Sequence, residues 1–188
     1  DIDIFVITNK INKKIIKGSY EIILISKRQL EKTLERNILP LLPMIKEAKV
    51  IMNKELLSKY RNYKLNKSNL KFYFDVTTSA MKVCKSAINI DKESGVKNTS
   101  DAIAYSLILN LRSTYLVDSL IKNKKWSTKD FLRLIKKISN SLESYEGYTR
   151  VKSDIKSKRK LEVEDARKLI SYILEKLDEH KKLLKKTR

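Results

Sequence analysis

The chain has 188 residues, enough for one domain or two small ones, and its 42 Lys and Arg against 22 Asp and Glu give a net charge of +20. This charge favours a polyanionic partner such as RNA, although a Lys-rich surface adapted to heat is the alternative. Only three Gly and two Pro argue against a loop-rich all-β fold, and no apolar run approaches the roughly 18 residues of a membrane span. With a single Cys no intrachain disulfide can form, which is consistent with a reducing cytosol. Because the sequence also lacks a membrane span, we expect a soluble cytoplasmic protein with no membrane partner.

Residues 1–7 form the first predicted strand, in which Asp1 and Asp3 alternate with apolar residues. Because strand side chains alternate between faces, both carboxylates project from the same side. Neighbouring carboxylates repel each other, and their hard oxygen atoms suit Mg²⁺ or Mn²⁺. The pair therefore predicts a metal site for phosphoryl or nucleotidyl transfer. The alternative is an edge strand whose polar face is merely solvated.

A polar connector, residues 9–14, leads to a second predicted strand, residues 20–26. Ser26 is the expected N-cap of a helix that Pro40 and Pro43 break. Residues 48–52 form a short strand candidate, similar to a strand in archaeal nucleotidyltransferases.

The rest of the chain has a helical pattern. We expect Thr99 or Ser100 to cap a buried helix over 101–121, Ser127 to cap a helix over 127–145, and Gly147 to end that segment. Further helices are predicted at 55–63, 70–88 and 162–185, with a basic connector at 150–160. The predicted fold class is α+β: a partial α/β domain at 1–60 followed by a mainly helical up-down bundle at 64–188.

The Asp1-Ile2-Asp3 strand followed by the Tyr20–Ser26 run resembles the polymerase-β-type nucleotidyltransferase superfamily. The resemblance implies Asp1 and Asp3 as catalytic metal ligands and Glu21 as the third carboxylate, where the family more often has Asp. It also implies Mg²⁺ or Mn²⁺ as cofactor and a nucleoside triphosphate as substrate. In the family a Gly-Ser helix start precedes the Asp pair; Gly18-Ser19 follows it here, so we expect that element upstream of Asp1.

The turn at Gly147–Arg150 and the acidic start of the last helix, Leu161–Leu169, resemble the end of a HEPN-type four-helix bundle. Many such bundles carry Arg and then His as a ribonuclease site. Arg112 matches the Arg, but residues 117–119 contain no His, so we do not expect a nuclease. His180, the only His, is expected to pack or to face solvent near a helix end.

Arg112 lies in the most apolar predicted helix, so its charge needs a partner or a cleft. An ion pair with Asp118 or Asp75 is one interpretation. The other is a phosphate-binding guanidinium in a cleft lined by Tyr115 and Ser106.

Two basic segments are candidate nucleic-acid contacts: Lys124 and Lys125 beside Trp126, and the run Lys158, Arg159 and Lys160. Trp126 either stacks on a base or anchors the 127–145 helix. The sequence thus leaves two functions open, metal-dependent nucleotidyl transfer and a non-catalytic module that binds nucleic acid or a protein partner. A homo-oligomer is a further option.

Overall fold

The computed structural model describes residues 2–153 and 160–186, and the chain divides into two compact units, Asp1–Phe72 and Tyr73–Arg188. We call the first the N-terminal unit and the second the helical unit. The strands are β1 (Ile2–Thr8), β2 (Lys13–Lys17) and β3 (Tyr20–Ser26). The helices are α1 (Lys27–Arg36), α2 (Leu42–Glu47), α3 (Lys54–Arg61), α4 (Lys71–Glu93), α5 (Asp101–Ile121), α6 (Thr128–Ser139), α7 (Glu143–Ser153) and α8 (Val163–Lys186). The α+β class with a helical C-terminal part is confirmed.

The three strands form one sheet in the order β1-β3-β2, with β1 parallel and β2 antiparallel to β3. Part of the segment predicted as a polar connector is strand β2, which was missed because its Lys-Lys-Ile-Ile-Lys sequence shows no strict alternation. The turn into β3 uses Gly18 at φ 58°, a left-handed conformation that glycine adopts without steric cost. The β2–β3 hairpin is therefore stabilised by this turn as well as by the hydrogen bonds between its two strands.

The strand predicted at residues 48–52 is wrong: this segment has no regular structure and ends in a bend. Ile51 and Met52 are 84% and 85% exposed, so their apolar side chains do not join a buried face. The Arg61 guanidinium donates hydrogen bonds to the carbonyls of Ile45 and Ala48, which holds the end of α2 against α3. A short apolar run has too little periodicity to distinguish a strand from an irregular segment.

The core of the N-terminal unit lies around α1, α2 and α3 rather than within the sheet. Ser26 caps α1 as predicted, since its hydroxyl accepts a hydrogen bond from Gln29 N at 3.3 Å. The fully buried side chains of this core are Leu30, Leu34, Ile38, Leu42, Ile45, Tyr60 and Leu70. The sheet residues are mostly half-buried or exposed, so the polar side chains of the sheet are accessible to solvent.

The helical unit buries one stripe from each of its long helices. Ser100 and Ser127 cap α5 and α6 as predicted, and Cys84 is buried in the core. The central apolar residues are Met81, Cys84 and Ile88 of α4, Leu107, Ile108, Leu111 and Val117 of α5, Phe131 and Ile135 of α6, and Ala166, Leu169, Ile173 and Leu177 of α8.

The helix predicted at 127–145 is two helices. Asn140, at φ 56°, ends α6 in a left-handed cap, and α7 begins three residues later. Gly147 lies inside α7 instead of ending it. A Cβ there would lie 2.7 Å from the Cβ of Ala104, so its missing side chain allows α5 and α7 to approach closely.

Candidate functional site

Asp3 and Glu21 lie side by side on neighbouring parallel strands. They are direct register partners of β1 and β3, and such partners project from the same face of a sheet. Adjacent strands are about 4.8 Å apart, so both carboxylates can contribute oxygen atoms to one cation. Asp3 is exposed and Glu21 is half-buried, which leaves the pair accessible. Asp1, the third predicted ligand, lies outside the described residues.

Lys14 of β2 joins the same face. Its Nζ lies 2.8 Å from Glu21 Oε1, and both side chains remain substantially solvated. An exposed ion pair of this kind contributes little to stability and can exchange partners. The face therefore presents two carboxylates and one ammonium group.

The two carboxylates fit a hard divalent cation whose remaining ligands come from water and substrate. Mg²⁺ usually takes one or two carboxylates and completes its shell with water and substrate phosphates. Asp3 and Glu21 supply that minimum. Within the described part of the chain, no group of three or more His, Cys, Asp or Glu could hold a metal ion by itself.

Arg112 is exposed, contrary to the expectation that its charge is buried in the bundle. Its guanidinium carbon lies 5.2 Å from the centroid of the Trp126 ring, a cation–π contact. The interpretation of an ion pair with Asp118 or Asp75 is wrong. Asp118 pairs with His180 and Lys122 instead, and among the described residues Asp75 forms no ion pair with Arg112. The pattern misled because a helix that is apolar on most of its surface still turns one side to solvent.

Ser106 and Tyr115 do not share one cleft. Ser106 accepts a weak hydrogen bond from Cys84 Sγ at 3.5 Å, on the side of α5 that meets α4. Tyr115 lies nine residues later, about 14 Å along the helix axis, and its ring is nearly perpendicular to the Trp126 ring, with the ring centroids 5.2 Å apart. Arg112 and Tyr115 are thus neighbours around Trp126, whereas Ser106 is separate from them.

Trp126 connects α5 to α6. Its ring lies 5.2 Å from the Phe131 ring, and its Nε1 donates a hydrogen bond to Thr128 Oγ1 at 3.1 Å. The side chain is half-buried, while Lys124 and Lys125 beside it are exposed. The ring therefore anchors the start of α6 and remains accessible next to two cations.

Of the second basic run, Lys160 is exposed and described, whereas Lys158 and Arg159 lie outside the described residues. Arg150, at the beginning of the predicted basic connector, belongs to α7. Its Nε and Nη2 each donate a hydrogen bond of 2.8 Å to Asp101, so this cation is paired.

A buried polar network in the helical unit was not predicted. His180 is completely buried; its Nε2 lies 2.9 Å from Asp118 Oδ1, and its Nδ1 lies 3.0 Å from the Tyr73 hydroxyl. Since a carboxylate only accepts, His180 Nε2 carries the hydrogen of its bond to Asp118. The network joins α4, α5 and α8, and its burial leaves His180 no surface for contact with a substrate.

The environment shifts the acidity of the groups around His180. Burial alone would raise the pKa of Asp118, but the hydrogen bond from His180 and the cations Lys122 and Lys176 outweigh it and lower that pKa. Burial raises the pKa of the Tyr73 hydroxyl well above its ordinary value, so Tyr73 stays protonated.

One signal in the sequence could have located His180. It occupies the position, three residues after Leu177 and four before Leu184, at which the apolar stripe of α8 requires a buried residue. A buried His needs polar partners, but its partners come from helices 62 and 107 residues away. Their identity depends on how the helices pack.

No family model, no curated protein and no solved structure matches the chain. Among the described residues, no helix combines the length and the apolar composition that crossing a membrane requires.

Proposed function

We propose that the chain is a metal-dependent nucleotidyltransferase that transfers a nucleoside monophosphate from a nucleoside triphosphate to an acceptor hydroxyl. The direct pairing of Asp3 with Glu21 on adjacent parallel strands is the observation that carries the proposal. It supports the role that the Asp-x-Asp strand suggests, because two accessible carboxylates on one face form a minimal site for Mg²⁺ or Mn²⁺.

In this proposal, Asp3 and Glu21 would hold the cation, and the triphosphate would complete its ligand shell. When bound, the cation would supply charge neutralisation on the phosphate oxygens. The acceptor hydroxyl would attack the α-phosphorus in line, the bond from that phosphorus to the bridging oxygen of the β-phosphate would break, and pyrophosphate would leave as the hydroxyl proton is lost to solvent. Lys14 then leaves its ion pair with Glu21 and pairs with a phosphate oxygen, because its ammonium group already lies on the same face of the sheet as the two carboxylates. The acceptor hydroxyl approaches from the open side of the sheet.

The activity test uses the full chain with Mn²⁺, nucleoside triphosphates labelled at the α-phosphate, and two acceptors, an RNA oligonucleotide and the protein itself. Label should move to one acceptor, and Asp3→Asn or Glu21→Gln should lower its rate at least about a hundredfold. Glu35→Gln, an exposed carboxylate of α1, is the matched control and should retain the wild-type rate. Transfer that both site variants retain would overturn the proposal.

The second candidate is a non-catalytic module that binds RNA. The Glu21–Lys14 ion pair favours it, since this pair satisfies one carboxylate without any metal ion. The net charge of +20 and the exposed Lys124 and Lys125 beside Trp126 are consistent with a polyanionic partner. RNA binding by the wild type and by Asp3→Asn alike, with no label transfer by either, would favour this candidate.

A further inference from the structure

An open groove of about 860 Å³ lies between α6 and α8 of the helical unit, with the end of α4 at one margin. We call it the α6–α8 groove. Ligand pockets commonly span about 300–1,000 Å³, so its size suits a ligand as large as a nucleotide. Leu134, Ile138 and the half-buried Tyr172 give it apolar and aromatic surface.

Cations from three helices converge on this groove: Lys92 of α4, Lys137 of α6, and Arg167 and Lys168 of α8. Lys168 is neutralised by Asp165, whose Oδ1 lies 2.8 Å from Lys168 Nζ. In the described part of the chain, no carboxylate forms an ion pair with the other three cations. Arg167 is also half-buried, and an unpaired guanidinium with reduced solvation favours an anion.

Two carboxylates limit the shape of that anion. Glu164 and Glu175 also line the groove, three residues before Arg167 and eight after it. They border the positive segment of α8, so a long polyanion running along this helix would meet like charges at both ends. A compact anion on Arg167 has one neighbouring carboxylate, Glu164, one helical turn away. It can also reach Lys92 and Lys137 on the other two helices.

We propose that the α6–α8 groove binds a compact phosphorylated ligand of nucleotide size. Arg167 holds the phosphate group in a forked pair of hydrogen bonds, and Lys137 and Lys92 add charge from the opposite side. The body of the ligand rests on Leu134, Ile138 and Tyr172. This site is independent of the carboxylate pair on the sheet and does not require nucleotidyl transfer.

The test is calorimetric titration of the full chain with three probes: AMP, inorganic phosphate and a single-stranded RNA decamer. AMP should bind more tightly than inorganic phosphate, because its body contacts the apolar surface. Arg167→Gln and Lys137→Gln should each weaken AMP binding at least about tenfold, by loss of a charge-assisted hydrogen bond. Lys136→Gln is the matched control, since Lys136 is the exposed neighbour of Lys137 and does not line the groove.

Circular dichroism and melting of the free variants check that each is folded, and Asp3→Asn should leave AMP binding unchanged. The proposal is overturned if AMP does not bind at millimolar concentration, or if Lys136→Gln weakens binding as much as Lys137→Gln. It is also overturned if only the decamer binds in a manner sensitive to Arg167→Gln, because the groove would then serve RNA.

Discussion

His180 Nε2 lies 2.9 Å from Asp118 Oδ1, in a hydrogen bond that joins α8 to α5 of the helical unit. The Tyr73 hydroxyl contacts the other ring nitrogen, so three helices meet at one imidazole. Buried polar groups are costly when their partners are removed, so this network fixes the packing of α8 as well as satisfying its own atoms.

We expect His180→Ala to lower the free energy of unfolding by about 2–4 kcal/mol, because it leaves a cavity and removes the partner of a buried hydroxyl and a carboxylate. Tyr73→Phe removes one hydroxyl and should cost about 1 kcal/mol. Urea denaturation measures both. Lys182→Ala, an exposed position on α8, is the control and should stay within about 0.5 kcal/mol of the wild type. Equal stability of His180→Ala and the control would contradict this role.

The Asp101–Arg150 pair should make the helical unit sensitive to acid. Two hydrogen bonds from Arg150 lower the pKa of Asp101, so the folded state binds its proton less readily than the unfolded state does. This stabilisation is fully present above the unfolded pKa of about 3.9 and is lost as the pH falls through the lower folded value.

Asp101→Asn should therefore lose about 1–3 kcal/mol of stability at pH 7 and show a shallower loss of stability below pH ~4. Denaturant titrations from pH 7 to pH 2.5 measure both quantities. Asp130→Asn removes the partner of the more exposed Arg133 and should cost less than about 1 kcal/mol. An equal loss of stability in the two variants would show that the two hydrogen bonds from Arg150 to Asp101 stabilise the fold no more than an exposed ion pair does.

Gly147→Ala should destabilise the contact between α5 and α7 by about 1–3 kcal/mol, because the new Cβ would meet the Ala104 Cβ at 2.7 Å. Helix propensity alone predicts the opposite effect, an increase in the free energy of unfolding of up to about 1 kcal/mol. Thermal melting decides between them. The second change Ala104→Gly should recover part of the loss, and a double-mutant cycle without coupling would contradict the close approach.

If RNA binds beside Trp126, changing Lys124 and Lys125 together to Glu should weaken binding of a single-stranded oligonucleotide. It should also reduce the slope of log affinity against log salt by about two. Filter binding at several salt concentrations measures both. Lys67→Glu with Lys82→Glu makes the same charge change at other exposed positions. An equal effect of the two double variants would assign the binding to net charge alone.

The parts of the structure that depend on neighbouring residues were predictable from the sequence. Ser26, Ser100 and Ser127 cap helices because a hydroxyl reaches an amide three residues later, and the sequence shows that spacing directly. The pairing of Asp3 with Glu21 is not local, since they lie on different strands; the resemblance to nucleotidyltransferases led us to expect Glu21 near Asp3, and the register pairs them.

Features that depend on packing between distant elements were not predictable in this way. β2 is a strand because it pairs with β3, and the missing side chain of Gly147, which lies inside α7, allows Ala104 of α5 to approach closely. Asp118 was one of two partners considered for Arg112, but His180 contacts it from α8. In each case the deciding partner lies on another element, which periodicity along one element cannot reveal.

The most direct test of the central claim is Mn²⁺ binding followed by electron paramagnetic resonance, with and without ATP, because it does not depend on the acceptor. We predict that ATP and Mn²⁺ bind the wild-type chain cooperatively, and that Asp3→Asn and Glu21→Gln each weaken Mn²⁺ binding at least about tenfold while Glu35→Gln does not. Mn²⁺ binding that is equally tight in the wild type and in the Asp3→Asn, Glu21→Gln double variant would contradict the account.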